Sequence, residues 1–317
     1  MAEVLSQEEL EAAHCWEVED RVPRRPELTE FRRRLRYHQS QWREAQGHPL
    51  GSQPIAPKPG AAKRPVGSRL PLPYAKKTGA NFLTAGALAA ARARSSIREP
   101  HQSVDLQRWW ADLLWSTAMS FNLFGDLAAD LARADRAVHA WWPDTPGTVR
   151  GIRFEHSPGW LDPAYLGNLI SFDAAFGLDL GDGAEGIIGV VIRYHEWAKP
   201  QLPKPTRLAR YVEVMNKSGV FKPGAIEAVN GTGLLVTWLQ HLLVLSMLQH
   251  RSRTWRWGRF VLIHPVGNTD FADASKRYRG LLKDPSTFSS MTVEELLDGG
   301  VLPARAATAL RNRYIPR

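Results

Sequence analysis

The sequence predicts an α/β fold: a sheet flanked by helices on both faces and preceded by a basic helical arm. Three observations carry that expectation. The stretch from Leu169 to Glu196 reads as two strands around a turn, apolar on both faces, and so belongs between layers. Helical runs with broad apolar faces stand before and after it, at Ser103 to Arg136 and at Leu234 to Gln249. Two more β-rich stretches, Thr148 to His156 and Phe260 to His264, supply strands on either side in sequence.

A chain of 317 residues holds one large domain with extensions, or two small ones. The expected division is an acidic arm over 1–28, a basic helix and Pro/Gly-rich wrap over 29–100, and a core over 101–317. A hydrophobic content of 44% suits a real core. The single cysteine, Cys15, excludes a disulfide framework and a Cys-based zinc site, and fits a reducing cytoplasm. The opening MAEVLSQEELEAA lacks the basic and apolar segments of a signal peptide. The longest apolar stretch, Leu234 to Leu248, is too short to span a bilayer, so the expectation is a soluble cytoplasmic protein with no membrane partner. With 41 Lys and Arg against 32 Asp and Glu, the net charge of +9 favours a polyanionic partner, nucleic acid before membrane.

Taken in order, Ser6 to Trp16 is a short acidic helix with Ser6 and Glu9 as a capping box, and Glu17 to Pro26 breaks it. Thr29 to Ala45 reads as a helix, since Phe31, Leu35, His38 and Trp42 follow its period. Arg32, Arg33, Arg34, Arg36 and Arg43 fill much of the remaining surface, as a solvated face or as phosphate contacts for DNA. Gly47 to Gly79 has no periodicity and reads as an extended wrap, with Lys58, Lys63, Arg64, Lys76 and Lys77 as a second set of phosphate contacts. An alanine-rich helix follows over Phe82 to Arg94. Ser103 to Arg136 reads as one long helix or a helix pair, with Leu106, Trp109, Trp110, Leu113, Leu114, Met119 and Phe121 as core. In the strand Thr148 to His156, Ile152 and Phe154 share a face and Glu155 lies at the end.

The central stretch divides into Ile170 to Leu180, a glycine-rich loop over Gly181 to Gly186, and Ile187 to His195. Alternation puts Val191, Arg193 and His195 on one face and Val190, Ile192 and Tyr194 on the other. A hairpin symmetric about its loop sets Asp173 across from the Arg193 to His195 region. An acid and a cation on so apolar a sheet must pair, and a structural ion pair is the plainer reading.

Beyond it come a proline-rich linker, Lys199 to Pro205, and a helix over Thr206 to Asn216. Asn230-Gly231-Thr232-Gly233 leads into the buried helix, but a lone GxG without a following Lys-Ser/Thr is no phosphate loop. Arg251 to Phe260 interleaves Arg with Trp. Trp255 and Trp257 are expected on one strand face, either stacking bases or carrying packed arginines. Helices close the chain around Lys276 to Leu282, Met291 to Leu297 and Pro303 to Asn312. There is no HExxH, no Walker A, no GxSxG, no kinase set and no long repeat.

Four phrases in order carry a resemblance: Phe121-Asn122-Leu123-Phe124-Gly125, Phe154-Glu155-His156-Ser157-Pro158-Gly159, Ser171-Phe172-Asp173, and Ile188 to Glu196. From Phe31 to the C-terminus the chain resembles the PD-(D/E)XK nuclease superfamily, and within it a bacterial branch described as restriction endonucleases. The resemblance implies a three-layer restriction-endonuclease-like core with a mixed central sheet. It also implies a site built on Asp173 and an E-x-K phrase. Here the Glu of that phrase falls at Val191 and the Lys at Arg193. A helix Gln falls at Thr117, and an Arg beside Trp238 falls at Leu239. His241 matches a histidine of the family and is expected to bond a backbone carbonyl.

Phosphodiester hydrolysis in that superfamily needs carboxylates for Mg²⁺ and a cation for the developing charge. Val191 has no ligand atom, Arg193 cannot accept a proton, and one carboxylate seldom holds Mg²⁺. The leading expectation is therefore a nucleic-acid-associated pseudo-nuclease with a degenerate site and no cofactor. The alternative is an active DNA endonuclease with a rearranged site, in which Asp173 with Glu155 or Glu196 holds Mg²⁺, Arg193 assists, and His195 is an extra ligand or base. A third reading is a protein-interaction partner of an active nuclease, and a homo-oligomer is compatible with each.

Overall fold

In the computed structural model, which describes residues 5–15, 26–54, 60–102 and 104–316, helices and strands follow the apolar periodicity of the sequence with a few informative exceptions. Helix α1 (Gln7–Ala12) carries the expected Ser6–Glu9 capping box, and α2 (Pro26–Ala45) follows. Residues 16–25 and Lys58 lie outside the described residues. The supposed wrap is not structureless. It forms a small antiparallel pair, β1 (Gly51–Pro54) with β2 (Lys63–Val66), and a helix α3 (Leu72–Thr78). Helix α4 (Ala85–Ser96) is capped by Thr84, whose hydroxyl accepts the Ala87 N–H.

The expected long helix is three: α5 (Leu106–Ala111), α6 (Ser116–Ala128) and α7 (Leu131–Trp141). Two aspartates explain the breaks. Asp112 leaves the helical region, takes the Leu114 N–H on its own carboxylate, and is bridged by Arg69 and Arg108 at 3.1 and 2.9 Å. Asp130 accepts the Arg133 N–H and starts α7 afresh. Aspartate competes for backbone donors in this way, and so marks helix ends more often than interiors.

The sheet strands are β3 (Thr148–His156), β4 (Phe172–Asp179) and β5 (Glu185–Ile192). After them come α8 (Pro205–Ser218), which starts on proline and stops at a left-handed Gly219, then α9 (Ala225–Val229) and α10 (Leu235–Leu248). Strand β6 (Trp255–His264), α11 (Thr269–Gly280), β7 (Phe288–Thr292), α12 (Val293–Asp298) and α13 (Ala304–Tyr314) complete the order. The five strands lie in sequence order. β3–β4 and β4–β5 are antiparallel, while β5–β6 and β6–β7 are parallel. This is the mixed central sheet that the sequence led us to expect.

Two apolar layers cover it. One joins Ala174, Phe176, Ile188, Val190 and Ile192 to α4–α7, α12 and α13, and includes the tryptophans and phenylalanines expected as core. The other joins Ile187, Val191, Phe260 and Leu262 to α8–α11. Strand β5 is buried on both faces, as its unbroken apolar run requires. Gly125 of α6 sits so close to α4 that a Cβ there would lie 2.5 Å from the Ala87 Cα, which draws the two helices together over the sheet.

Helix α2 belongs to this body and is not a solvated basic face. Leu35, Arg36, Gln39, Ser40 and Arg43 are buried. Arg43 donates to the carbonyls of Gly67 and His48 at 2.9 and 2.7 Å, which withdraws it from the expected phosphate contacts. Arg34 is bridged to Glu30 at 3.0 Å, and Arg32 and Arg33 are half-buried. Lys63, Lys76 and Lys77 are exposed, and Arg64 is half-buried. From the other end of the chain, Arg313 is fully buried and stacks on Trp42 at 3.8 Å. It donates to Gln39 and Asn81, and Gln39 in turn donates to the Tyr194 hydroxyl.

Trp255 and Trp257 do not share a face. A register shift between Glu185 and Gly186 advances β6 by two residues, so Trp255 packs with the α10 layer and Trp257 with the α6 layer. Among the described residues no helix is long and apolar enough to cross a membrane.

Candidate active site

Three strands set one row of side chains. Phe154 pairs with Ala174 and His156 with Phe172, so Glu155 stands opposite Asp173. On the other side Ala174 pairs with Val190, and the next step puts Val191 opposite Asp173. The hairpin register is thus two residues short of the sequence expectation, which set Asp173 against Arg193 to His195. In place of the expected ion pair, the Asp173 carboxylate takes neutral donors. Oδ1 accepts the Thr117 hydroxyl at 3.0 Å and Oδ2 accepts the Ile192 N–H at 2.7 Å.

Arg193 acts on Asp173 only through space. Its guanidinium donates to the Gln240 side chain and the Ile192 carbonyl, each at 3.1 Å, and faces the Phe271 ring at 5.9 Å. Val191 is 1% exposed and packs in the α10 layer, where Leu239 and Trp238 are also buried. The four positions where the resemblance leads one to expect other residues, Thr117, Val191, Arg193 and Leu239, fall into two groups. Thr117 and Arg193 border the acid, whereas Val191 and Leu239 have joined the core.

Glu155 is held for interaction with Asp173. Its backbone is left-handed, with φ of 45°, which departs from strand alternation. Arg94 donates to the carbonyls of Phe154 and Glu155 at 2.7 and 3.0 Å, and the Ser171 hydroxyl donates to Glu155 Oε1 at 2.8 Å. Burial and then the charge of Asp173 push the Glu155 carboxyl up to about 7, against Ser171, Arg94 and Thr117. Burial also raises Asp173, against Arg193 and the Ile192 N–H. A cavity of about 540 Å³ opens beside Glu155, lined also by Arg94, His156 and Ser157.

Glu196 turns to a neighbouring network. Oε1 accepts the Ser116 hydroxyl at 2.6 Å, and Oε2 accepts the His195 N–H at 3.2 Å. Ser116 also accepts the Tyr194 N–H, while Asn268 donates to the Glu196 carbonyl at 2.9 Å. Burial lowers His195 to about 4, so the ring is neutral at pH 7, and its Nδ1 is buried without a hydrogen-bond partner. His241 bonds the hydroxyls of Tyr278 and Thr287 at 2.9 Å each, not a carbonyl as expected.

Among the described residues no three His, Cys, Asp or Glu side chains are grouped to hold a metal ion. Glu155 and Asp173 meet, Glu196 stays with Ser116, and the third place in the row is the aliphatic Val191. Beside Asp173 the row thus offers one further carboxylate, Glu155, and no third oxygen or nitrogen ligand. The resemblance and the strand ends pointed to Asp173, Arg193, Glu155 and Glu196, but not to Ser116, Ser171, Arg94, Gln240 and Asn268, which bond them. Ser171 falls inside one of the phrases that carry the resemblance. Nothing local marks Arg94 or Gln240.

No curated protein and no solved structure matched this chain. A family model described as the PD-(D/E)XK nuclease superfamily matches residues 26–316. That span takes in every strand of the sheet and the row of Glu155, Asp173 and Val191, and the chain belongs to the PD-(D/E)XK nuclease superfamily.

Proposed function

We propose that this protein binds nucleic acid through a nuclease-like fold whose hydrolytic site is degenerate. One observation carries the reading: the row opposite Asp173 ends in a buried valine, while each Asp173 oxygen already accepts one hydrogen bond, from Thr117 and from the Ile192 backbone. Nucleases of this superfamily generally use divalent ions such as Mg²⁺. Such an ion needs a carboxylate or two with free lone pairs, and a mobile cation or base nearby. Here Arg193 is fastened to Gln240 and cannot take a proton from water. Binding without hydrolysis is supported by superfamily membership, by the net charge of +9, and by exposed Lys63, Lys76 and Lys77.

The test is supercoiled plasmid with the purified protein in Mg²⁺ or Mn²⁺. The expected result is salt-dependent retardation with no nicking, unchanged in Asp173→Ala. One observation favours a second reading, the Glu155–Asp173 acid pair, which could serve a rearranged site. Metal-dependent cleavage by the wild type, abolished by Asp173→Ala and by Glu155→Gln, would establish it and overturn the first. Absence of any DNA retardation at low salt would instead favour a role as a protein partner.

A further inference from the structure

A second cleft lies at the loop end of the β4–β5 hairpin, away from Asp173. Its volume is about 590 Å³, and its floor is bare sheet, where Gly151 of β3 pairs with Gly177 of β4. A Cβ built on Gly151 would meet nothing within 4 Å, so the space over that floor is open. Strict alternation would send Arg150 and Arg153 to opposite faces of β3. The register shift between Val149 and Gly151 lets both line this one cleft.

Trp255 lines the same space. Tyr165 and His250 brace it edge-on, with ring centroids 6.2 and 6.0 Å away. Arg150 is bridged to Glu185 at 2.6 Å, whereas Arg153 is exposed and makes no hydrogen bond or ion pair among the described residues. Arg251, Arg253 and Arg256 surround Trp255 in the chain and are likewise exposed. From this stretch Trp255 lines the cleft, next to Thr254.

A flat floor, one aromatic wall and two guanidiniums, only one of them bridged to an acid, suit a ligand that offers both a planar face and a phosphate. Duplex DNA keeps its base faces stacked inside, while a single strand exposes them. We infer that this cleft binds single-stranded nucleic acid, with a base against Trp255 and the backbone phosphates on Arg150 and Arg153. Its rim shares Arg153 and His156 with the cavity beside Glu155, but the inference is independent of whether the Asp173 site hydrolyses anything.

The experiment is fluorescence anisotropy of fluorescein-labelled oligothymidylate and oligouridylate with the full chain at low salt. Wild type should bind at least one of them, and the comparison identifies DNA or RNA as the source. Gly151→Leu, which fills the cleft, and Arg153→Glu should each weaken binding about tenfold or more, the size of one lost stacked base with its phosphate contact. Arg153→Lys should restore most of the loss. Arg305→Glu makes the same charge change at an exposed position on α13 and should have little effect. The inference is overturned if wild type binds neither strand, if Arg153→Glu binds like wild type, or if Arg305→Glu weakens binding as much. Lys76→Glu with Lys77→Glu tests duplex binding separately, so failure of one reading does not mimic failure of the other.

Discussion

Asp173 Oδ2 accepts the backbone N–H of Ile192 at 2.7 Å, closing the β4–β5 hairpin at the end where its ladder stops. With Thr117 on the other oxygen, the carboxylate ties α6 to the end of β5. Asp173 thus bridges a helix and a strand through two buried hydrogen bonds. Asp173→Ala should therefore lower stability by about 1–3 kcal/mol, since it strands a buried N–H and a buried hydroxyl. A urea midpoint that stays the same or rises would show that repulsion from Glu155 outweighs those bonds.

The second prediction concerns the sheet itself. Ile192 is fully buried in the layer beneath α6. Ile192→Asp puts an unpaired carboxylate there and should cost more than about 4 kcal/mol, enough to unfold the domain. A cooperative thermal transition at the wild-type temperature would refute the burial of this strand.

Glu155 gives the protein a pH signature. Its carboxyl is raised from 4.5 to about 7, so between those values the folded state holds more protons than the unfolded one. The stability it contributes is full below pH 4.5 and is lost as pH rises through about 7. His156 and His195, lowered to about 4, work in the opposite sense and lose stability as pH falls. The difference between wild type and Glu155→Gln isolates the first effect. Relative to wild type, the variant should gain stability steadily from pH 5 to 8 in urea titrations, and a flat difference would count against the acid pair.

Arg313 tests how firmly α2 is tied to the core. Among the described residues it has no carboxylate hydrogen-bonded or ion-paired to it, yet it is fully buried on Trp42 and bonded to Gln39 and Asn81. Arg313→Met should cost about 3–5 kcal/mol by orphaning these polar groups. Arg313→Lys should recover little, because an ammonium cannot both stack on the indole and reach two amides. Full rescue by lysine in thermal melts would mean that charge alone is what matters.

The double change Val191→Glu with Arg193→Lys probes whether the row can form a cation site. In chelator the variant should melt below wild type, because Val191 is buried among apolar neighbours. If the third place in the row returns a ligand beside Asp173 and Glu155, Mg²⁺ or Mn²⁺ should raise its melting temperature and leave wild type unmoved. Equal response in both proteins would mean that the row does not form a cation site.

Local periodicity was enough to locate the strands Thr148–His156, Phe172–Asp179 and Glu185–Ile192 and the buried helix Leu235–Leu248, each a run of apolar or alternating residues, but not their ends: the second hairpin strand, expected over Ile187 to His195, starts at Glu185 and stops at Ile192. The order of four short phrases likewise sufficed for the superfamily. What only the tertiary structure decided depends on residues far apart in the chain. Phe288–Thr292 has no strong strand pattern and becomes a strand because the edge of β6 offers it a ladder. The arginines of α2 read as a basic face, yet Arg36 and Arg43 are buried, since carbonyls from other segments and the Trp42–Arg313 stack draw that helix inward. The Asp173 side chain looked like half of an ion pair until a two-residue difference in register gave it Thr117 and Ile192 instead. Hydrophobic burial is written along the chain, residue by residue, but a buried polar group is satisfied by whatever donor the fold brings within about 3 Å, and sequence spacing does not record that meeting.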